Sequence, residues 1–145
     1  MLTKILALTA LALVTSSSAL AAAGGCHAIS GTHVNHNVPC TVPAIVCVES
    51  QVTGDFAGVS TTVVTTFDPV TNTFSGTVTN VLDNGAVSTS TIVGTVVNGV
   101  GHSVETITGG TRQFAHATGT IVTDSVNGVG TYTGEYCLGN GGDGD

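Results

Sequence analysis

Polar and apolar residues alternate along most of this chain, in short runs rich in Val, Thr and Ile. Runs of this kind, bounded by Gly, Asn and Asp, predict β-strands. We place seven strands near residues 44–53, 59–67, 73–82, 86–97, 101–108, 118–126 and 129–138. A short eighth strand is predicted around residues 113–115. No segment beyond the N-terminal stretch has a 3.6-residue apolar period, so we expect almost no helix.

Tight-turn sequences separate several of these runs. Asn-Gly pairs supply the positive φ angles that short hairpin turns require, and strands joined by such turns are antiparallel. The turn sequences are Asp83-Asn84-Gly85, Asn98-Gly99 and Asn127-Gly128. Consecutive antiparallel strands leave exposed edges unless the sheet closes or packs on a second sheet. We therefore predict an all-β, eight-stranded antiparallel up-and-down barrel, with an antiparallel β-sandwich as the alternative.

The alternation within a strand indicates which side chains share a face. In residues 44–53 the apolar face carries Val46, Val48 and Val52, which places Cys47 and Glu49 on the other face. In the last strand Tyr132, Tyr136 and Leu138 share a face and Glu135 lies opposite. In residues 59–67 one face carries Val59, Val63 and Phe67, and the other carries Ser60, Thr62 and Thr66. Threonine tolerates water, so we expect it on the outer face.

The first 23 residues predict a cleavable export signal. Lys4 is followed by an apolar stretch at residues 5–14 and by small residues that end in Ala21-Ala22-Ala23. The stretch is shorter than the about 20 apolar residues that cross a bilayer, so we predict a secreted or extracytoplasmic protein without a transmembrane segment. Lipid attachment at Cys26 is a lesser alternative. After residue 23, we divide the chain into a His-containing loop segment (24–43), the barrel (44–138) and a flexible Gly/Asp tail (139–145).

The charge balance excludes polyanionic partners. The chain has nine acidic and two basic side chains, with a formal net charge of −7. Removal of the signal would remove Lys4 and leave Arg112 as the one basic side chain. Nucleic-acid binding requires clustered Lys and Arg, so we expect no nucleic-acid partner. Anionic membrane surfaces are disfavoured for the same reason.

Four cysteines behind an export signal predict a disulfide framework with three possible connectivities. The alternation places Cys47 and Cys137 on the outside of the first and last predicted strands. Those two strands are neighbours in a closed barrel. We therefore predict Cys47–Cys137, with Cys26–Cys40 tying down the N-terminal segment. The pairing of Cys26 or Cys40 with Cys137 remains open, and Cys47 would then take the remaining cysteine.

The string ITGGTRQFAHATGT at residues 107–120 resembles the GGTG-x-F-x-x-A-x-G segment of the dirigent and allene oxide cyclase-like barrel family, which includes small secreted bacterial proteins. Arg112 stands where glycine is usual, and His116 replaces a small residue. The resemblance implies an eight-stranded barrel with an apolar cavity and no metal or covalent cofactor. The family's plant members cyclise a fatty-acid epoxide or steer the coupling of phenolic radicals. The matching positions are Gly109, Gly110, Thr111, Phe114, Ala117 and Gly119.

This motif is a structural turn, so it predicts a fold better than a reaction. For acid–base chemistry the candidates are Glu105, Arg112 and Asp124, because a carboxyl buried in a barrel has a raised pKa. The alternation leaves the face of Glu105 undetermined. Tyr132 and Tyr136 are the candidate ligand-binding residues.

Three histidines, His27, His33 and His36, lie close together in the N-terminal segment. Imidazoles bind copper, nickel or zinc. Their spacing does not match a recognised ligand set, so we expect no metal and no other cofactor.

We expect a secreted, non-catalytic barrel that binds a small apolar or phenolic ligand or has a structural role at the cell envelope. One alternative is a cofactor-free cyclase or isomerase of the allene oxide cyclase or dirigent type. Another is an ice- or surface-binding module, because Thr-x-Thr pairs recur along the chain. Their irregular spacing favours ordinary outward-facing strand positions instead.

Overall fold

Eight antiparallel strands form a closed barrel in chain order. The structure is a computed structural model that describes residues 25–139. β8 pairs with β1 and closes the sheet, so the predicted up-and-down barrel is confirmed and the sandwich alternative is wrong. The predicted export signal at residues 1–23 and residues 140–145 of the predicted tail lie outside the described residues. The strands are β1 (Cys26–Val38), β2 (Val46–Gly54), β3 (Gly58–Asp68), β4 (Thr73–Leu82), β5 (Val87–Val97), β6 (Val100–Gly110), β7 (Thr118–Val126) and β8 (Val129–Cys137).

The first strand of the barrel lies where a loop was predicted. Residues 26–38 form a strand that pairs with β2 on one side and β8 on the other. Its buried residues are Ile29 and His33, and Asn35 also faces the barrel interior. An interior face with this many polar residues lacks the alternation of apolar and polar positions that indicates a strand. The predicted strand at residues 113–115 is also wrong, because Arg112–Phe114 form a short 3₁₀ turn.

The interior face of β3 differs from the one that the alternation suggested. Ser60, Thr62 and Val64 line the interior, and Ser60 is buried. The register with β4 then shifts between Val64 and Thr66. A bulge of this kind moves the following residues to the opposite face, which brings Phe67 inside with Val64. The expectation that the hydroxyl-bearing face of this strand lies outside is therefore wrong.

The two ends of the barrel are built differently. The open end carries the connections at residues 39–45, 69–72, 98–99 and 127–128. The last two connections have the predicted positive-φ geometry, with φ of 52° at Asn98 and 51° at Asn127. The closed end carries the β2–β3, β4–β5 and β6–β7 connections, together with Cys26 and Cys137.

Aromatic side chains from two connections fill the closed end. Phe56 and Phe114 meet edge to face, with ring centroids 5.4 Å apart. Phe114 is fully buried, and its ring also lies 5.1 Å from that of Tyr136. The motif string therefore plugs the barrel. The buried cluster comprises Ile29, Phe56, Leu82, Ala86, Ile107, Phe114, Ala117, Ile121 and Tyr132.

The backbone of the motif string explains two of its positions. A side chain at Gly110, which has a φ of 153°, would collide with the carbonyl oxygen of Val87 and with Phe114. Arg112 has a φ of 53°, in the left-handed region that favours glycine. Its guanidinium donates a hydrogen bond to the carbonyl of Asn84. Arg112 thus links two connections of the closed end.

One disulfide lies at each end of the barrel. Cys26 and Cys137 are direct pairing partners of β1 and β8, and they form a disulfide across the seam. The other disulfide joins Cys40, in the β1–β2 connection, to Cys47 at the start of β2. The predicted pairs Cys47–Cys137 and Cys26–Cys40 are wrong because the missed strand β1, rather than β2, borders β8. The sulfur of Cys26 is engaged in this disulfide, which leaves no thiol for a lipid.

Candidate functional site

A cavity of about 480 Å³ occupies the barrel interior and opens at the open end. Its floor is the inner surface of the closed-end cluster, where Phe56, Ile121 and Tyr132 face the cavity. All eight strands contribute to its walls. An eight-stranded barrel has room for interior side chains or for one small ligand. This barrel is filled at one end and hollow at the other.

Most of the cavity wall is apolar. Side chains of this kind surround the space from its floor to its mouth, as is usual for pockets that bind small organic molecules. The apolar wall residues are Ile45, Val46, Val48, Val52, Val64, Phe67, Phe74, Ile92 and Val96.

A polar belt crosses the interior from β1 to β5. Its five members, Asn35, Ser50, Ser60, Asn80 and Ser88, are direct pairing partners from one strand to the next. The Ser50 hydroxyl donates to Asn35 Oδ1 at 2.8 Å, and the Asn80 amide donates to Ser88 Oγ at 3.1 Å. The pattern of each single strand does not reveal this belt, because its members lie on five strands and only the register aligns them. The available signal was serine at two successive inward positions of β5, Ser88 and Ser90.

Glu105 on β6 is the candidate acid that reaches the cavity. Its pairing partners are Ile92 on β5 and Ile121 on β7, so its strand neighbours are apolar. Burial raises the pKa of the Glu105 carboxyl from 4.5 to about 7, although hydrogen bonding from Asn80 opposes the change. Its Oε2 is buried without a hydrogen-bond partner among the described residues. The cavity therefore contains a carboxyl that changes charge near neutral pH.

His33 on β1 also faces the cavity. It is buried, and desolvation lowers the pKa of its imidazole. The ring is therefore neutral at pH 7, and its Nε2 is buried without a partner within residues 25–139. Polar groups buried without partners are uncommon in folded proteins. Both His33 and Glu105 thus offer unused hydrogen-bonding positions to a ligand.

Tyr132 lies at the cavity floor, whereas Tyr136 does not line the cavity. The Tyr132 hydroxyl accepts a hydrogen bond from the Phe56 N–H at 2.8 Å and donates one to the Thr53 carbonyl at 3.0 Å. Burial raises the pKa of this hydroxyl. Tyr136 packs in the closed end and stacks on His27, with ring centroids 5.1 Å apart. The two hydrogen bonds of Tyr132 therefore attach the cavity floor to the β2–β3 connection and to the end of β2.

The other candidate acid–base residues lie away from the cavity. Asp124 is exposed on the outer face, where its Oδ1 lies 2.6 Å from Nδ1 of the exposed His102. Arg112 lies in the closed-end connections. Glu49 and Glu135 face outward, as the alternation predicted, since their inward neighbours are Val48, Ser50 and Tyr136. Of the candidate acid–base residues, Glu105 alone combines an interior position with a raised pKa.

The three histidines of the N-terminal segment do not converge. His27 stacks on Tyr136 at the closed end, and His33 points into the cavity. His36 is exposed on the opposite face of β1. Within the described residues no group of three His, Cys, Asp or Glu side chains is arranged to hold a metal ion.

Threonine residues do form a row on the outer face. Thr77, Thr91, Thr106 and Thr120 are exposed and are direct partners across β4 to β7. The row follows the curvature of the closed barrel. A surface-binding module would require a flat array, so this geometry does not favour that alternative.

Comparison with family models, with curated proteins and with solved structures found no match to this chain. Within residues 25–139, no helix has the length and hydropathy needed to cross a bilayer. The fold and the site together define a disulfide-linked up-and-down barrel with a cavity open at one end.

Proposed function

We propose that this protein is exported and binds, without turnover, a small and mostly apolar ligand that carries a hydrogen-bonding group. The cavity of about 480 Å³ is the observation that carries the proposal. A barrel with a purely structural role would be filled by its own side chains, as the closed end is. The two disulfides support export, because disulfides are typical of oxidising compartments.

The lining supports a ligand with one polar part. Apolar walls contribute binding through the hydrophobic effect, and a few polar groups orient the ligand. Here the polar groups are the belt, Glu105 and His33. A phenol, an alcohol or an amine on an aromatic or aliphatic body fits this arrangement.

Binding of a neutral apolar dye, such as Nile red, tests the proposal. Thr62 lines the cavity, and its neighbour Thr61 is exposed on the outer face. We expect Thr62→Phe to fill part of the cavity and to weaken dye binding by about tenfold or more. Thr61→Phe, the matched control, should bind the dye as the unchanged protein does. Circular dichroism establishes that both variants are folded. A folded, unchanged protein that binds no dye, or equal dye binding by a folded Thr62→Phe, would overturn the proposal.

A second candidate function is cofactor-free isomerisation, and the position of Glu105 favours it. A carboxyl with a pKa near the working pH is suited to both accept and return a proton. The ionised Glu105 would take a proton from the α-carbon of a β,γ-unsaturated ketone. The double bond then shifts, and the carboxyl returns the proton to the γ-carbon.

The isomerisation of an aryl β,γ-unsaturated ketone, followed by the absorbance of the conjugated product, tests this candidate. We expect the rate to rise with pH through about 7, as Glu105 ionises. Glu105→Gln should abolish the rate above background, and Glu135→Gln on the outer face should leave it unchanged. No rate above the buffer background would eliminate this isomerase.

A further inference from the structure

Among residues 25–139, the cavity lining includes the Glu105 carboxyl but no Lys or Arg. The inference drawn from this rests on the proposed binding function. Glu105 Oε2 is buried and unpartnered among the described residues, and Ile92 and Ile121 flank it in the sheet. Carboxylates in such surroundings are stabilised by a charge-assisted hydrogen bond. In the described part of the chain, Asn80 is the only side chain that hydrogen-bonds to this carboxyl.

His33 and Tyr132, which share the cavity interior with Glu105, carry no positive charge near neutral pH. His33 on β1 has a lowered pKa, and the Tyr132 hydroxyl on β8 is held in two hydrogen bonds. Asn80 on β4 contributes an amide. His102 lies at the mouth on β6, where its Nδ1 contacts Asp124 on β7. Within the described residues no Lys or Arg lines the cavity, because Arg112 lies at the closed end.

We propose that the cavity selects cationic amphiphiles, apolar molecules that carry a protonated amine, with Glu105 as the counter-ion. A buried ammonium is unfavourable unless a carboxylate and hydrogen-bond acceptors compensate it. Glu105 supplies the charge, and Asn80 supplies a carbonyl acceptor. The formal net charge of −7 also favours the approach of cations and disfavours that of anions.

The preference for cations depends on pH in a defined direction. The Glu105 carboxyl in the free protein is neutral well below pH 7 and ionised well above it. A cationic ligand binds the ionised form, so its affinity rises as the pH rises through about 7. An alkylamine stays protonated until near pH 10. The affinity of a neutral analogue does not change with pH. The affinity of an anionic analogue falls as the pH rises through about 7.

Three probes with the same ring system measure this preference: naphthylethylamine, ethylnaphthalene and naphthylacetate. The chain contains no tryptophan, so naphthalene fluorescence is read without a tryptophan background. At about pH 8 we expect the amine to bind about tenfold more tightly than the neutral probe and more tightly still than the acid. At about pH 5, where Glu105 is protonated, the preference for the amine over the neutral probe should disappear.

Two variants assign the effect to Glu105. Glu105→Gln keeps the shape of the side chain and should remove the preference at every pH. Glu135→Gln removes an exposed acid from the outer face and serves as the matched control. Equal binding of the three probes by the unchanged protein, or a cation preference that survives Glu105→Gln, overturns the inference but leaves the binding function standing. Failure of all three probes and of Nile red to bind overturns both.

Discussion

The closed and open ends of the barrel are formed by the same eight strands, but side chains fill the closed end and leave the open end hollow. The closed end packs Phe56 and Phe114 against Tyr136, and its connections expose polar residues such as Asp55, Asp83 and Arg112. The open end has a cavity, and its rim exposes apolar side chains. These rim residues are Val42, Ile45, Phe67, Val70, Val96, Val97, Val100, Val126 and Val129. The closed end thus holds most of the packing that stabilises the fold, and the open end leaves an apolar surface for a ligand.

The two disulfides offer the largest test of this comparison. The Cys26–Cys137 disulfide joins residues 111 positions apart in the sequence, whereas the Cys40–Cys47 disulfide joins residues 7 positions apart. A longer closed loop restricts the unfolded chain more. We expect replacing Cys26 and Cys137 by serine to lower the free energy of unfolding by about 5 kcal/mol, and replacing Cys40 and Cys47 by about 2.5 kcal/mol. Chemical denaturation measures both. An equal or larger loss from the open-end pair would contradict the comparison.

Aromatic residues at the two ends provide a matched pair of substitutions. Phe114 is 1% exposed, and Phe67 at the rim is 44% exposed. Phe114→Ala removes a closely packed ring and should lower the free energy of unfolding by about 3–5 kcal/mol. Phe67→Ala should cost about 1 kcal/mol, because much of its ring already contacts water. Similar losses in thermal unfolding experiments would show that the rim is packed as the closed end is.

Glu105 makes the open end sensitive to pH. Its carboxyl is harder to ionise in the folded protein than in the unfolded chain, so the folded state retains the proton between pH 4.5 and about 7. Stability therefore falls as the pH rises through this window, by about 3 kcal/mol, and then stays level. Glu105→Gln should lose this decrease and be the more stable protein at about pH 8.

His33 acts in the opposite direction, since its lowered pKa removes stability as the pH falls below 6.5. His33 is present in both the unchanged protein and Glu105→Gln. The difference between their free energies of unfolding therefore measures the contribution of Glu105. If the difference in the free energy of unfolding between the two proteins does not change with pH, the Glu105 carboxyl is exposed to water and the prediction is wrong.

Tyr132 lies where the two ends meet, and loss of its hydroxyl should have a smaller effect than loss of the Phe114 ring. Tyr132→Phe leaves the buried Phe56 N–H without its acceptor. We expect a loss of about 1–3 kcal/mol in the free energy of unfolding. Tyr136→Phe, whose ring packing is unchanged, is the control and should lose less than about 0.5 kcal/mol. If the two losses are equal, the Tyr132 hydrogen bonds do not anchor the cavity floor.

Most of the strand positions, the hairpin turns and the closed barrel could be predicted from the sequence. These features depend on local alternation and on Asn-Gly geometry, which neighbouring residues encode. Local alternation also placed Glu49 and Glu135 on the outer face.

Strand β1, the disulfide pairs and the site depend on contacts between segments that are distant in the sequence. β1 was missed because its interior face carries His33 and Asn35 in place of apolar residues, and the wrong disulfides followed from that omission. The polar belt and the interior position of Glu105 depend on the register between strands and on the bulges in β3 and β6. Register is a relation between distant segments, so no single strand's pattern contains it.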